Sequence, residues 1–277
     1  MKKNERAAAI VRTIVVSLIA VLFVVQLVWM VLSSLKTAPE VFARPFHWLP
    51  ARVQWQNYAT VWMNEEASML RAFANTLYIA LFSIIGQMFI SSLAAYSFAK
   101  INFKGKQVVF MLFLSSMMVP SQLTIIPRFM LFKTIGLYNN LWAIILPAFF
   151  GATSIFMLRQ FYMGLPNDLI EAAKIDGAGH LRIFLRIMLP LTKAALMSLI
   201  ILAFISSWNE YMAPLIFLVK KELYTVSQNI QWYMLDEFKE HNLTMAAATS
   251  AIVPVVILFI VGQKYFVEGI ATSGVKG

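Results

Sequence analysis

The sequence predicts an all-α polytopic membrane protein with six transmembrane helices. Of its 277 residues, 60% are hydrophobic and only 13% are charged, whereas soluble domains carry about 25% charged residues. A helix needs about 20 apolar residues to cross a bilayer core, and six stretches are long enough. These stretches are residues 10–35, 74–99, 107–131, 141–160, 191–219 and 245–267. All are too long and too continuously apolar to be the alternating strands of a transmembrane barrel.

The first apolar stretch resembles a secretory signal peptide in one respect. Lys2, Lys3 and Arg6 precede it, as basic residues precede a signal core. However, the stretch is longer than the roughly 7–15 apolar residues of such a core, and no small-residue cleavage site closes it before Lys36. We therefore expect an uncleaved first transmembrane helix.

The distribution of basic residues predicts the orientation of the chain. Cytoplasmic loops of membrane proteins carry an excess of lysine and arginine. If the N-terminus is cytoplasmic, 14 of the 23 lysines and arginines lie on the cytoplasmic side. The sequence therefore predicts that both termini are cytoplasmic. The net charge of +10 is then explained by topology, and it requires no nucleic-acid partner.

Two predicted external loops, residues 36–73 and 220–244, are rich in aromatic side chains. Such residues are typical of an interfacial aromatic belt, but they could also form a docking surface for a component delivered from outside. Both interpretations remain open from the sequence. The aromatic residues are Phe42, Trp48, Trp55, Tyr58, Trp62, Tyr224, Trp232, Tyr233 and Phe238.

The predicted cytoplasmic loop at residues 159–190 is more polar than the rest of the chain. Asp168 and Glu171 have the spacing of a capping box, which predicts a helix start. Gly177 and Gly179 are expected to end that helix, because glycine enters left-handed conformations easily. From physics alone, this short helix could rest on lipid headgroups, or its small alanines could admit a close partner surface.

The order of residues in this loop indicates a known family. The loop contains Glu171-Ala172-Ala173, then Asp176-Gly177-Ala178-Gly179, then Ile187-x-Leu189-Pro190. This order resembles the EAA loop of binding-protein-dependent ABC importer permeases at every defined position. The resemblance implies that a coupling helix in this loop contacts an ATP-binding subunit. Its residues would be Glu171, Ala172, Ala173, Asp176, Gly177, Ala178 and Gly179.

Further short matches resemble the carbohydrate-uptake branch of this family, which includes maltose-transporter-type permeases. The matches are Lys36-Thr37, Glu40, Pro45, Pro50, Asn57-Tyr58, Asn75-Thr76, Ser207-Trp208-Asn209-Glu210-Tyr211, Gln263 to Gly269 and the terminal Gly274-Val275-Lys276-Gly277. The resemblance implies a bacterial cytoplasmic-membrane protein. It also implies three kinds of protein partner: a second and different permease subunit, two ATP-binding subunits and an extracytoplasmic solute-binding protein.

The resemblance also implies how the chain is divided. Residues 1–73 would hold the N-terminal tail, the first transmembrane helix and an external loop. Residues 74–277 would form a type I importer core of five helices, with the coupling loop at 161–190. We expect the first helix to wrap around the partner permease within the lipid bilayer.

The sequence contains no recognisable site for nucleotide or metal. The phosphate-binding pattern G-x-x-x-x-G-K-[ST] does not occur, and His47, His180 and His241 are scattered without metal-ligand spacing. We therefore predict that the chain is not an enzyme and carries no cofactor. ATP and Mg²⁺ would then bind to partner subunits.

Glu210 is the acidic residue placed well inside a predicted span. Because Asn209, Glu210 and Tyr211 are polar and Pro214 follows, we expect a local break in the helix there. These three residues could line the translocation path. Alternatively, Glu210 could be satisfied by helix-end amides or by a partner chain without meeting the substrate.

Together these observations predict a permease subunit of an ATP-driven importer. It would translocate a sugar or oligosaccharide, delivered by a binding protein, through alternating access. Two alternatives remain: an ABC permease for a non-sugar solute, and an ion-coupled secondary carrier that depends on Glu210. A secondary carrier would transport alone, driven by an ion gradient.

Overall fold

The chain is almost entirely helical. The computed structural model describes residues 2–235 and 240–274, so Phe238 and the terminal Val275-Lys276-Gly277 lie outside the described residues. Within those two ranges the chain forms helices and turns and contains no strand. The predicted all-α class is therefore confirmed.

The helices up to the predicted coupling loop include two long ones. In chain order they are α1 Lys2–Ser34, α2 Ala38–Val41, α3 Gln56–Met63, α4 Met69–Lys100, α5 Lys106–Ser116, α6 Ser121–Thr134, α7 Trp142–Ala148 and α8 Ala152–Met163.

The second half contains shorter helices and one more long one. In chain order these are α9 Asp168–Ile175, α10 His180–Ile183, a π-helix Phe184–Met188, α11 Leu189–Leu191, α12 Lys193–Trp208, α13 Met212–Phe217, a 3₁₀ helix Lys221–Leu223, α14 Val226–Met234 and α15 His241–Gly274.

Four helical segments of the described residues are long and apolar enough to cross a membrane unaided. They are Ala8–Ser34, Met69–Lys100, Trp142–Met163 and His241–Gln263, and they correspond to predicted spans one, two, four and six. In two further cases, a pair of consecutive helices reaches this length and composition only when the two helices are taken as one segment. The pair α5 and α6 is bent by 94°, and the pair His180–Leu191 and Lys193–Trp208 is bent by 76°. The count of six spans therefore stays a prediction.

The two bent pairs correct the predicted third and fifth spans. Pro120 precedes α6 with a ψ of 131°, and proline cannot donate a backbone hydrogen bond to the preceding turn. The predicted fifth span at residues 191–219 is not one unbroken helix, because α12 ends at Trp208 and α13 begins at Met212. The break expected near Glu210 is confirmed.

Contacts divide the chain into two units. The first comprises Met1–Leu70 and Asn229–Val253, and the second comprises Arg71–Gln228 and Pro254–Gly277. In the first unit, no residue of the most apolar 18-residue stretch of α1 is buried within the chain, whereas Ser33 and Ser34 at the end of the helix are fully buried. The functional division at residue 73 remains a prediction.

The second unit contains two clusters of buried apolar side chains. One joins α4, α8, α9, the π-helix and α12, through residues such as Tyr96, Leu158 and Met188. The other joins α4, α6, α7 and α13, through residues such as Ile79, Ile145 and Phe217. The first cluster therefore packs the predicted coupling loop against α4, α8 and α12.

Two glycines allow α4 to approach the fourth predicted span closely. A Cβ atom on Gly86 would lie 2.2 Å from the Phe149 ring, and a Cβ atom on Gly151 would lie 2.1 Å from the Gln87 amide. Each glycine therefore leaves room for a side chain of the facing segment, as small residues do where transmembrane helices approach closely. Phe149 follows α7, and Gly151 precedes α8, so this contact holds the point where the fourth span is interrupted.

We predict that Gly86→Ala destabilises the purified chain by about 1 to 3 kcal/mol, the usual cost of overpacking a core. The matched control is Gly164→Ala, because a Cβ atom there makes only ordinary contacts, 3.4 Å or more from its neighbours. Thermal unfolding in detergent measures both variants. Equal midpoints for Gly86→Ala and the unsubstituted chain would contradict the packing described.

Candidate coupling and translocation sites

Helix α9 in the predicted coupling loop has one buried and one exposed face. Ile170 and Ala173 are 5% and 8% exposed and belong to the core of the second unit. The opposite face carries Glu171, Ala172 and Ile175, all exposed, and Ile175 is 87% exposed. The exposed face of α9 is therefore charged at Glu171 and small or apolar at Ala172 and Ile175.

The C-terminal end of α9 is closed by a specific backbone arrangement. Gly177 has φ +77°, a conformation that glycine adopts without steric cost. Its N–H donates to the Lys174 carbonyl at 3.0 Å, and the Ala178 N–H donates to the Ala173 carbonyl at 2.9 Å. These two bonds make a Schellman motif. The Asp-Gly-Ala part of the sequence pattern therefore sets where α9 ends and the direction in which the backbone leaves it.

The second glycine of the pattern does not have the role expected from sequence. Gly179 has φ −72°, precedes α10, and a Cβ atom on it would meet nothing within 4 Å. The expectation that Gly179 helps to end α9 is therefore wrong. Its backbone conformation is open to any residue.

The predicted capping box at the start of α9 is also wrong. Asn167, not Asp168, precedes the helix, and no side chain caps it. The N–H groups of Ile170 and Glu171 donate instead to the backbone carbonyl of Asn167, at 2.8 and 3.0 Å. The side-chain oxygen of Asn167 accepts a hydrogen bond from Lys100 at 2.6 Å, so it is engaged elsewhere.

The chain after Gly179 continues into an unusual helix. Residues Phe184–Met188 form a π-helix between α10 and α11, an arrangement often found at functional sites. His180, at the start of α10, lies with its Nδ1 atom 3.2 Å from the Tyr96 hydroxyl of α4. The predicted coupling loop is thus joined to α4 by polar as well as apolar contacts.

The predicted translocation residues lie in the break between α12 and α13. Asn209 is exposed, and Glu210 and Tyr211 are half-buried. A carboxylate oxygen of Glu210 accepts a hydrogen bond from the Ala213 N–H at 3.0 Å, and the Asn209 amide donates to the Ile205 carbonyl at 2.9 Å. The structure thus brings the three together, and a helix-end amide satisfies Glu210. Whether they meet substrate stays a prediction.

Several residues that carry the family resemblance follow α1 and form hydrogen bonds at the end of that helix. The Asn57 amide donates to the Ser34 and Lys36 carbonyls at 2.8 and 2.9 Å, and its oxygen accepts from Asn242 at 2.9 Å. Lys36 is 1% exposed and donates to the His47 carbonyl. The backbone and hydroxyl of Thr37 donate to the Glu40 carboxylate, which lowers the Glu40 pKa.

In the second unit, Asn75 and Thr76 at the start of α4 bind the chain that follows α13. The Asn75 amide donates to the carbonyls of Glu222 and Tyr224, at 2.8 and 3.1 Å. The Thr76 hydroxyl oxygen accepts from the Val226 N–H at 2.9 Å. In the structure, Asn75 and Thr76 therefore position a predicted external loop.

Some aromatic residues of the predicted external loops are structural. The Tyr233 hydroxyl donates to the Ala67 carbonyl at 3.2 Å, and its burial, followed by the charge of Glu240, raises the Tyr233 pKa to about 12. The Trp62 indole donates to the Ser250 hydroxyl at 3.1 Å. Both rings therefore fix the fold of the first unit, while the two wider interpretations of these loops stay predictions.

No sequence pattern predicts that basic side chains from different helices meet at the end of α4. Lys100, Lys106 and Arg159 all reach backbone carbonyls or an amide there. In the sequence, the positive charge of this region indicates only the orientation of the chain. In the described part of the chain, no group of three or more histidine, aspartate or glutamate side chains is placed to hold a metal ion.

Comparison with known proteins identifies the family. Residues 87–272 match the family described as binding-protein-dependent transport system inner membrane component, which is well over half of the chain. The chain therefore belongs to this family and is a multi-pass protein of the cytoplasmic membrane. Permeases of this family are transport components that work in complexes with other subunits.

Among its relatives is the arabinooligosaccharide transport system permease protein AraQ of Bacillus subtilis strain 168. The two are 33% identical over 267 residues, which cover 96% of this chain and 95% of AraQ. The sn-glycerol-3-phosphate transport system permease protein UgpE of Escherichia coli O1:K1 is 30% identical over 240 residues, covering 84% and 85%.

A solved structure has the same fold. It comes from a bacterial ABC transporter involved in the import of the acidic polysaccharide alginate. The TM-score is 0.85 at 22% identity, and the match covers 95% of this chain and 98% of that chain. This similarity confirms the importer-permease fold expected from the sequence.

We predict that Gly177→Ala destabilises the chain by about 1 to 2 kcal/mol, the cost of placing a side chain in the left-handed region. Gly179→Ala is the control and should leave the unfolding midpoint unchanged, because its φ is ordinary and its Cβ position is empty. Thermal unfolding of both purified chains measures the difference. Equal effects of the two substitutions would exclude the turn geometry given above.

Proposed function

We propose that this chain is the membrane-spanning permease subunit of an ATP-driven importer for a sugar or oligosaccharide. An extracytoplasmic binding protein delivers the solute, and alternating access moves it across the membrane. The observation that carries the proposal is α9, a short helix with a fixed end whose exposed face carries Ala172 and Ile175. Family membership and the name of the relative AraQ support the importer class and the carbohydrate substrate.

The exposed face of α9 suits the surface of an ATP-binding subunit. Ala172 is small, so a partner backbone can approach closely, and Glu171 and Asp176 flank it with charge. The Schellman bonds at Gly177 hold the helix end in one direction. A helix fixed in this way moves as a body when its partner moves. We therefore assign Glu171 through Gly179 to coupling, with Glu171, Ala172 and Asp176 at the contact.

ATP and Mg²⁺ bind to the partner subunits in this proposal, and the permease chain supplies no catalytic group. When two ATP-binding subunits close on ATP, α9 is displaced with its partner. The displacement reaches α4, α8 and α12 through the shared core around Tyr96, Leu158 and Leu199. The helices then tilt and the cavity opens outward to receive the solute.

The second permease subunit and the binding protein are assigned to exposed surfaces of the chain. The most apolar 18-residue stretch of α1 contains no residue that is buried within the chain, which supports contact with a second, different permease subunit or with lipid. Both termini are cytoplasmic in this proposal, so residues 36–73 and 220–244 face the binding protein. No nucleic acid takes part.

Asn209, Glu210 and Tyr211 are our candidates for the translocation path. Amide, carboxylate and phenol groups can exchange hydrogen bonds with sugar hydroxyls, and Asn209 is exposed. The bond from Ala213 to Glu210 keeps the carboxylate at the helix break. One observation favours a second candidate substrate: the relative UgpE is named for transport of sn-glycerol-3-phosphate, which is not a sugar.

We predict that Ala172→Trp abolishes ATP-driven uptake while the chain still inserts and folds, because the bulky ring occupies the partner contact. Leu181→Trp is the matched control, since Leu181 is also exposed, at 65%, and lies outside α9. Uptake into proteoliposomes with the ATP-binding subunits and binding protein, and co-purification of those subunits, measure the effect. Normal uptake and association with Ala172→Trp would refute the coupling assignment.

We predict that Glu210→Gln preserves the dependence of uptake on ATP. Glutamine retains a side-chain oxygen that accepts the Ala213 N–H, so the start of α13 stays capped. An ion-coupled carrier would instead lose gradient-driven transport on this change. The test compares uptake with ATP alone and with an ion gradient alone. Uptake that an ion gradient drives without ATP, and that Glu210→Gln removes, would favour the carrier.

A further inference from the structure

The C-terminal end of α4 is closed by basic side chains from other helices. The last carbonyls of an α-helix have no partners within the helix, and cations there also interact favourably with the helix dipole. Arg159 of α8 donates to the Phe98 carbonyl at 3.2 Å. Lys106 of α5 makes a longer contact of 3.5 Å to the Ala99 carbonyl. We call Lys100, Lys106 and Arg159 the basic junction.

Lys100 connects this junction to the predicted coupling helix. Its ammonium group donates to the Leu165 carbonyl at 2.7 Å and to the Asn167 side-chain oxygen at 2.6 Å. The backbone carbonyl of the same Asn167 accepts the N–H groups of Ile170 and Glu171. One cation at the end of α4 therefore holds the residue on which the first turn of α9 is built.

Arg159 extends the junction to α5. Its guanidinium lies 4.1 Å from the centroid of the Phe110 ring, well within the range of a cation–π interaction. Phe110 is 4% exposed, and its ring lies 5.2 Å from the ring of Phe98. The ends of α4, α5 and α8 and the entry to α9 thus meet through charge-assisted and aromatic contacts.

We propose that Lys100 and Arg159 are positioning residues that pass the displacement of α9 to α4, α5 and α8; this inference rests on the proposed function. The buried contacts of Ile170 and Ala173 are apolar, and apolar attraction is non-directional. Hydrogen bonds from a charged donor are shorter, stronger and directional, so Lys100 fixes the position of α9 relative to the end of α4.

The first test measures coupling in the assembled transporter. Lys100→Met keeps the length of the side chain and removes its charge, and Lys100→Arg restores a donor. The control is Lys104→Met, an exposed lysine four residues away. In proteoliposomes with the ATP-binding subunits and binding protein, the solute taken up per ATP hydrolysed should fall at least about tenfold with Lys100→Met, because the change removes two charge-assisted hydrogen bonds and the loss of one corresponds to about a factor of ten.

Lys100→Arg should recover part of this ratio, and Lys104→Met should not change it. A Lys100→Met transporter that retains the unsubstituted ratio would overturn the proposal. If the unsubstituted transporter does not couple ATP hydrolysis to uptake at all, the proposed function fails, and the transmission inference fails with it.

The second test needs only the full permease chain in nanodiscs. The chain contains no cysteine, so Ile175→Cys, at an 87% exposed position of α9, accepts a single spin label. Lys100→Met should increase the mobility of this label, and Lys104→Met should not. Unchanged mobility would show that Lys100 does not hold α9. Increased mobility with an unchanged uptake ratio would refute the proposal that Lys100 transmits the displacement of α9. It would show only that Lys100 holds α9 in place.

Discussion

The structure depends on how the backbone groups at helix ends and breaks find partners. Unpaired backbone groups are costly in a lipid environment, and only 13% of the residues are charged. Several of the polar side chains therefore form hydrogen bonds with backbone groups at helix ends and breaks. Asn57 closes α1, and Glu210 supplies an acceptor at the start of α13. Asn139, in the left-handed region, accepts the N–H groups of Val219 and Lys220 after α13.

This constraint gives a structural reason for several residues that carry the family resemblance. Asn75 and Thr76 bind backbone groups between α13 and α14, so that segment has a fixed course. Gly177 lets α9 end in two backbone bonds without using a side chain. The outer face of α9 is then left to Glu171, Ala172 and Asp176. Gly179 has no such reason within this chain, since its conformation and surroundings accept a side chain.

The sequence was sufficient where the signal is local. Continuous apolar runs predicted four of the spans, and the order of residues in the loop predicted α9 and the turn at Gly177. Features that depend on distant residues were not predictable. Asp168 has capping-box spacing, but Lys100 engages Asn167 from 67 positions away, and the helix starts with a backbone acceptor. The inclusion of residues 229–253 in the first unit likewise depends on contacts that no periodicity encodes.

Hydrogen-bonded residues in the second unit are separated by different numbers of positions at the break around Glu210 and at the end of α4. At the break around Glu210, the bonds join residues three or four positions apart, from Ala213 to Glu210 and from Asn209 to Ile205. Two bonds from α14 also reach this region, from the Ser227 hydroxyl to the Trp208 carbonyl at 3.4 Å and from the Gln228 amide to the Pro214 carbonyl at 3.1 Å. At the end of α4, by contrast, the bonds from Lys100 and Arg159 span more than 60 positions. In the mechanism that we propose, a displacement that begins at α9 passes through the bonds of the junction toward the break, where the candidate translocation residues lie.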